Sequence, residues 1–314
     1  MEYKYLFGPV PSRRLGISLG IDLIPLKTCN FNCIYCECGD GAPLYNERKE
    51  YIEVNEVLKE LKEYLSKNSK PEYITFSGSG EPTLNSKIGY LIQEIKKLTD
   101  VKICVITNST NLINENMREE LKSADLVMPS LNAVLEKSFL KINRPNINIK
   151  LSEIIEGIRK FGDEFQGEIY LEIFMIDEIN DSKEELEEFV KTLKTIKFTK
   201  VQLNSLDRPA PVSWVKPMAM EKLEKIKNYF KENGIETEII KKYKSKNEYK
   251  AYTEDNEKLI TNLLCVRPST FEDIKEATGL DREILGNYLD IMVKEGIIKT
   301  LMEERGVFYT YRNR

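Results

Sequence analysis

The chain of 314 residues carries 47 Lys and Arg against 51 Asp and Glu, a formal net charge of −4, with 41% hydrophobic residues and no histidine. That length buries a sizeable core and suits one large domain with a small companion. The missing histidines exclude Ser-His-Asp hydrolysis, Cys-His proteolysis, His-ligated zinc and imidazole general-base chemistry, leaving thiolates, carboxylates, Lys, Tyr or a borrowed cofactor.

No apolar run reaches the roughly 18 residues of a membrane helix. The start MEYKYLFGPV has neither the basic region nor the apolar stretch of a signal peptide, so a cytoplasmic protein with no membrane partner is expected. Six cysteines, four of them between Cys29 and Cys38, read as a metal site in a reduced compartment rather than a disulfide framework.

In chain order, GISLGIDLI (16–24) alternates like a strand, and VNEVLKELKEYL (54–65) then repeats apolar positions at helical spacing, with Asn55 the expected N-cap. Strand-like 72–76 precedes helix-like 86–98, and 101–107 precedes 114–124. Then follow strand-like 125–131, the strand 168–176 with helix 182–196, and the strand 200–206 with helix 219–234. Near-continuous apolar strands separated by amphipathic helices predict an α/β fold, a parallel sheet closing into a full or partial barrel. In such folds the functional residues sit at the C-terminal ends of the strands.

The composition changes after residue 240. The barrel is expected over 1–240, a polar, basic linker over 241–253 and a small domain over 254–314. There, three helical patterns (256–265, 270–279, 282–296) and two β-rich runs around a Glu-Arg-Gly turn predict a winged helix. That segment holds nine Lys and Arg against twelve Asp and Glu, a net charge of −3. Phosphate contacts dominate nucleic-acid affinity, so this charge argues against DNA binding, with Lys294, Lys299 and Arg305 left as a local basic patch. A peptide- or protein-presenting role is the expectation.

The chemistry concentrates in KTCNFNCIYCECG, where Cys29, Cys33 and Cys36 form a C-x3-C-x2-C loop just after the first strand. Two readings fit it. Three thiolates can ligate one face of a cubane iron-sulfur cluster and leave the fourth iron open, or Cys38 can complete a four-thiolate zinc site. With Tyr35 before the third cysteine, the loop resembles that of the radical S-adenosylmethionine (SAM) superfamily, over roughly residues 5 to 240. The resemblance implies a [4Fe-4S] cluster on Cys29, Cys33 and Cys36 whose unique iron chelates SAM. It further implies reductive cleavage to a 5′-deoxyadenosyl radical that abstracts hydrogen, and an electron donor such as flavodoxin or ferredoxin.

Other strand ends extend the resemblance. GSGEP, from Gly78 through Ser79, Gly80 and Glu81 to Pro82, resembles the motif that binds the SAM amino group; a Gly-Pro turn is its plain alternative. ITNST implies ribose or substrate contacts from Thr107 and Asn108, and PSLNA implies one from Ser130. Arg144 in INRP is the expected cation for the SAM carboxylate, since its planar fork suits two oxygens. Glu172, in the middle of an apolar strand, requires a partner or a ligand.

FGPVPSRRLGISLGIDL and CECG resemble the group near the wyosine-base synthases. Those carry a second cluster, for which only Cys38, Cys104 and Cys265 would remain here. Arg13 and Arg14 are read as contacts to an anion or as partners of carboxylates, and Asn204, Asp207 and Arg208 as facing the substrate mouth. Two classes of function remain: a SAM-cleaving oxidoreductase acting on a polypeptide or an RNA base, and an iron-sulfur redox sensor that binds DNA.

Overall fold

The computed structural model describes residues 3–208, 210–240 and 256–312; the expected linker, 241–253, lies outside them. Eight strands form one sheet whose spatial order follows the chain: β1 (Leu6–Ser12), β2 (Gly16–Ile21), β3 (Tyr73–Phe76), β4 (Lys102–Thr107), β5 (Leu126–Pro129), β6 (Glu168–Phe174), β7 (Lys200–Asn204) and β8 (Thr237–Ile239). β1 pairs antiparallel with β2, and every later pair is parallel. β1 and β8 are the two edges of this sheet.

Parallel neighbours need crossovers, and the helices α1 (Val54–Lys67), α2 (Ile88–Leu98), α3 (Glu115–Leu121), α4 (Glu136–Asn143), α5 (Leu151–Glu164), α6 (Lys183–Leu193) and α7 (Met220–Glu232) lie within them. α1 buries Val54, Val57, Leu58, Leu61 and Tyr64, one stripe at helical spacing. Against such stripes pack fully buried strand residues, among them Ile74, Phe76, Ile103, Val105, Leu171 and Leu203, making one continuous core.

Four features depart from the sequence reading. α1 starts two residues earlier than Asn55 requires: its N-cap is Glu53, which makes no side-chain capping bond. β1 was not expected, because Pro9 and Pro11 demote a strand; as an edge strand with irregular register between Phe7 and Val10, it has no need of those two N–H groups. α4 and α5 fill the span between β5 and β6, for which the sequence analysis names no element. The three-residue β8 is too short to leave a period-2 signal.

A second unit comprises α8 (Asn256–Val266), β9 (Ser269–Thr270), α9 (Phe271–Thr278), α10 (Arg282–Lys294), β10 (Ile298–Glu303) and β11 (Gly306–Tyr311), with a three-stranded antiparallel sheet ordered β10-β11-β9. Thr270 and Asp273 form a reciprocal capping box at the start of α9. Its apolar core, including Ile260, Leu264, Ile274, Leu285 and Leu289, also takes in Val10 of β1. The unit therefore covers the edge strand, whose open N–H and C=O groups would otherwise invite pairing. Replacing fully buried Ile274 by Ala should lower stability by about 2–5 kcal/mol, read as an earlier midpoint in guanidinium unfolding; an unchanged midpoint would contradict this packing.

Candidate active site

The C-terminal ends of the parallel strands open on a cavity of about 360 Å³, within the range of small-molecule sites. The cysteine loop leaves β2 and is fastened from several sides. Tyr45 N donates to Cys29 O (2.9 Å), Ile34 N to Ile142 O (2.9 Å) and Gly39 N to Cys36 O (3.0 Å). Phe31 packs edge-on against Phe139 of α4, ring centroids 5.7 Å apart. Amide donors approach the sulfurs: Phe31 N (3.4 Å) and Asn108 Nδ2 (3.6 Å) to Cys29 Sγ, and Asn143 Nδ2 (3.4 Å) to Cys33 Sγ.

Burial, with the neighbouring thiols adding, raises the Cys29 thiol and pushes Cys33 up to about 12, whereas a hydrogen bond with Cys38 brings Cys36 down to about 7. Cys38 Sγ itself reaches Gly78 O at 3.5 Å, which ties the cysteine loop to the next strand end. Among the described residues no three Cys, Asp or Glu side chains gather round a point as a single ion requires.

GSGEP is laced to that loop. Lys27 N donates to Ser79 O (2.7 Å) and Glu81 N to Thr28 O (3.0 Å). Gly80 is obligatory, since a Cβ there would stand 2.2 Å from Thr28 O; at Gly78, φ of +128° and the carboxylate of Asp22 exclude a side chain. Asp22 accepts from Ser79 N (3.0 Å) and from Ser79 Oγ, and burial outweighs both donors, raising its carboxyl to about 6.

Buried Glu81 accepts from Thr83 N (3.0 Å), Thr83 Oγ1 (2.5 Å), Thr107 Oγ1 (2.7 Å) and Asn108 N (2.7 Å). Pro82 opens the 3-10 turn that Glu81 caps. Asn108 is equally committed, giving Nδ2 to Asn30 Oδ1 (2.7 Å) and accepting at Oδ1 from Thr110 N (3.1 Å) and Thr110 Oγ1 (2.8 Å). Glu81, Thr107 and Asn108 thus line the cavity while their side chains hold the strand ends together.

Across the cavity, Tyr35 stacks on Phe174 with centroids 3.9 Å apart. Asn132 fixes the pair, donating to Tyr35 Oη (2.6 Å) and accepting from Phe174 N (2.8 Å). Ser130 lines the cavity, its backbone N–H bonded to Thr107 O (2.9 Å). Glu172 has its partner in an ion pair with Arg14.

Of the expected site residues, Cys29, Cys36, Tyr35, Gly78, Gly80, Glu81, Thr107, Asn108, Ser130 and Glu172 line the cavity. Cys33, Ser79 and Pro82 do not contribute to that lining. Arg144 stands apart from this lining. It ends α4 in a left-handed conformation (φ 43°), its guanidinium lies 3.5 Å from Asp40 Oδ1, and it takes no part in the lining. The cavity's cations are instead Arg13, Arg14, Arg208 and Arg267. Arg13 lies 3.6 Å from Asp207 Oδ2, and buried Arg208 donates to Glu37 Oε1 at 3.0 Å. Burial would raise Glu37, but Arg208 and Arg267 bring it down to about 2. Burial and the neighbouring Arg208 lower Arg267 to about 9.

Sequence reasoning missed Asp22, Glu37 and Arg267. Asp22 directly follows β2, a position that marks it; nothing local marks Arg267, which belongs to the second unit.

Residues 23–193, more than half of the chain, match the family model of the Radical SAM superfamily, and the chain belongs to that superfamily. The superfamily's cofactors, S-adenosylmethionine and a [4Fe-4S] cluster, go with that membership. UPF0026 protein MJ1312 of Methanocaldococcus jannaschii is 33% identical over 307 residues, 96% of this chain and 94% of that one. GTPase Obg of Brachyspira hyodysenteriae is 40% identical over 301 residues, 95% of this chain; the chain spans only 44% of that protein. The sequence has no Gly-x4-Gly-Lys-Ser/Thr run, so a P-loop has no counterpart here. A solved radical SAM methyltransferase from Sphaerobacter thermophilus shares the fold, with a TM-score of 0.56 at 19% identity over 71% of this chain and 65% of that one. The mostly parallel sheet is thus a radical SAM partial barrel.

Two outcomes test this geometry. Gly80→Ala should drive Thr28 and the cysteine loop outward at a cost of about 1–3 kcal/mol, seen as a lower thermal midpoint. Asp22 is raised above the ordinary value of about 3.9, so the native state holds its proton more tightly than the unfolded chain. Stability is therefore lost as pH rises from about 4 to about 6. Asp22→Asn should gain on the order of 2 kcal/mol over the native protein at pH 7.5 and nothing at pH 4, by denaturant midpoints; an equal difference at both pH values would refute it.

Proposed function

We propose that the protein is a radical SAM oxidoreductase in which Cys29, Cys33 and Cys36 hold a [4Fe-4S] cluster and the adjoining cavity receives SAM and a substrate. The observation that carries this reading is the three-thiol loop, whose sulfurs meet amide donors from Asn108 and Asn143 beside a cavity floored by Gly78 and Gly80. Such donors to ligating thiolates orient them and tune the metal group. When bound, the cluster and SAM supply a 5′-deoxyadenosyl radical that takes a hydrogen atom from the substrate.

The chain's own residues bind, orient and exclude water. Gly78 and Gly80 let backbone carbonyls approach the SAM amino group. Ser130, whose hydroxyl makes no hydrogen bond among the described residues, is free for a ribose contact. Tyr35, held against Phe174 by Asn132, walls the cavity beside the third cysteine. The Arg14–Glu172 pair leaves Arg14 Nε buried without a hydrogen bond, and both residues line the cavity.

In this reading residues 1–240 form the barrel and 254–314 a winged helix that presents substrate, with a flavodoxin- or ferredoxin-like electron donor as partner. Arg305, counted in the basic patch, is engaged with Asp207 and Asp273, which disfavours the DNA-binding sensor. The test is anaerobic: reconstitute iron and sulfide, reduce with dithionite, add SAM and quantify 5′-deoxyadenosine in the native protein and in Cys33→Ala. Formation that the substitution abolishes is expected. No 5′-deoxyadenosine from native protein with an intact cluster would reject the enzyme in favour of the sensor.

A further inference from the structure

The sheet leaves a gap between its edges, and charged side chains from four parts of the chain meet there. Arg13 follows β1, Asp207 and Arg208 follow β7, Glu37 comes from the cysteine loop, and Arg267 with its neighbour Val266 comes from the end of α8. Arg305, in the turn between β10 and β11, reaches Asp207 and lies 3.0 Å from Asp273 Oδ1.

The charges do not balance. Four arginines (13, 208, 267 and 305) face three carboxylates (Glu37, Asp207 and Asp273). Each carboxylate already has an arginine within 4.0 Å. Among the described residues, Arg267 has no carboxylate within that distance, and its side chain lines the cavity. A second observation is independent of this count. Arg208 is only 8% exposed and also lines the cavity, yet its Nε is buried with no hydrogen-bond partner. A buried guanidinium donor left unmade is costly, and an excess cation beside it raises the cost.

We propose that Arg267 and Arg208, with Arg13 beside them, form an oxyanion subsite that grips a phosphate or carboxylate group of the substrate. The second unit then takes part in substrate recognition through Arg267. The proposal deepens the preceding reading, on which it rests for the cavity being the substrate's.

The test uses the reconstituted full-length protein. Inorganic phosphate and acetate are titrated separately by calorimetry into the native protein, Arg267→Gln and Arg267→Lys, with iron content and thermal midpoint checking that each variant is folded. Phosphate or acetate should bind the native protein, the preferred one identifying the substrate's anion. Arg267→Gln should weaken that binding about tenfold or more, and Arg267→Lys should recover part of it, having the charge without the planar fork. Binding equal in Arg267→Gln, or absent from the native protein for both anions, would overturn the proposal. So would displacement of the bound anion by SAM, which would assign the arginines to the cofactor's own carboxylate. Failure of the native protein to form 5′-deoxyadenosine would strike the preceding reading alone, because the calorimetric result is read without turnover.

Discussion

A single buried carboxylate organises the catalytic end of the barrel. Glu81 gathers donors from Thr83, Thr107 and Asn108, so the loop after β3 and the end of β4 share one anion. A carboxylate without those donors would be prohibitively costly to bury, which makes the interaction all or nothing. Through Asn108 the same network reaches Asn30 and the sulfur of Cys29. The position of the first cysteine therefore depends on a glutamate far from it in sequence.

The second constraint is closeness of backbones. GSGEP and the cysteine loop approach until Gly80 meets Thr28 O, and the two hydrogen bonds flanking that contact hold them in register. Glycine here serves contact between two loops as much as contact with a ligand. The same loop pair receives Cys38, whose thiol on Gly78 O explains a fourth cysteine with no need of a metal.

Much was legible, for identifiable reasons. The C-x3-C-x2-C loop is local, so its resemblance to the radical SAM motif could be read from a few adjacent residues. β2 to β7 are buried apolar runs and their helices carry clear stripes, so their types could be read before their contacts were known. β1 could not, because two prolines are tolerated only at an edge, and being at an edge is a property of the whole sheet. α5 carries its own apolar stripe at helical spacing, with Leu151, Ile154, Ile158 and Phe161 buried, a local signal that the sequence does contain.

The arginines divide what each level determines. By itself the sequence determined the family of chemistry, the cysteine loop that carries its motif and the alternation of strand and helix, since all three are written in residues a few positions apart. Only the tertiary structure decided which cations face the cavity. Arg144, adjacent to the expected motifs, is turned aside by a left-handed helix end, while Arg267 arrives from a separate unit packed against Val10. A charge acts through space over a few ångströms, and which charges come that close is set by how the chain folds, not by their order along it.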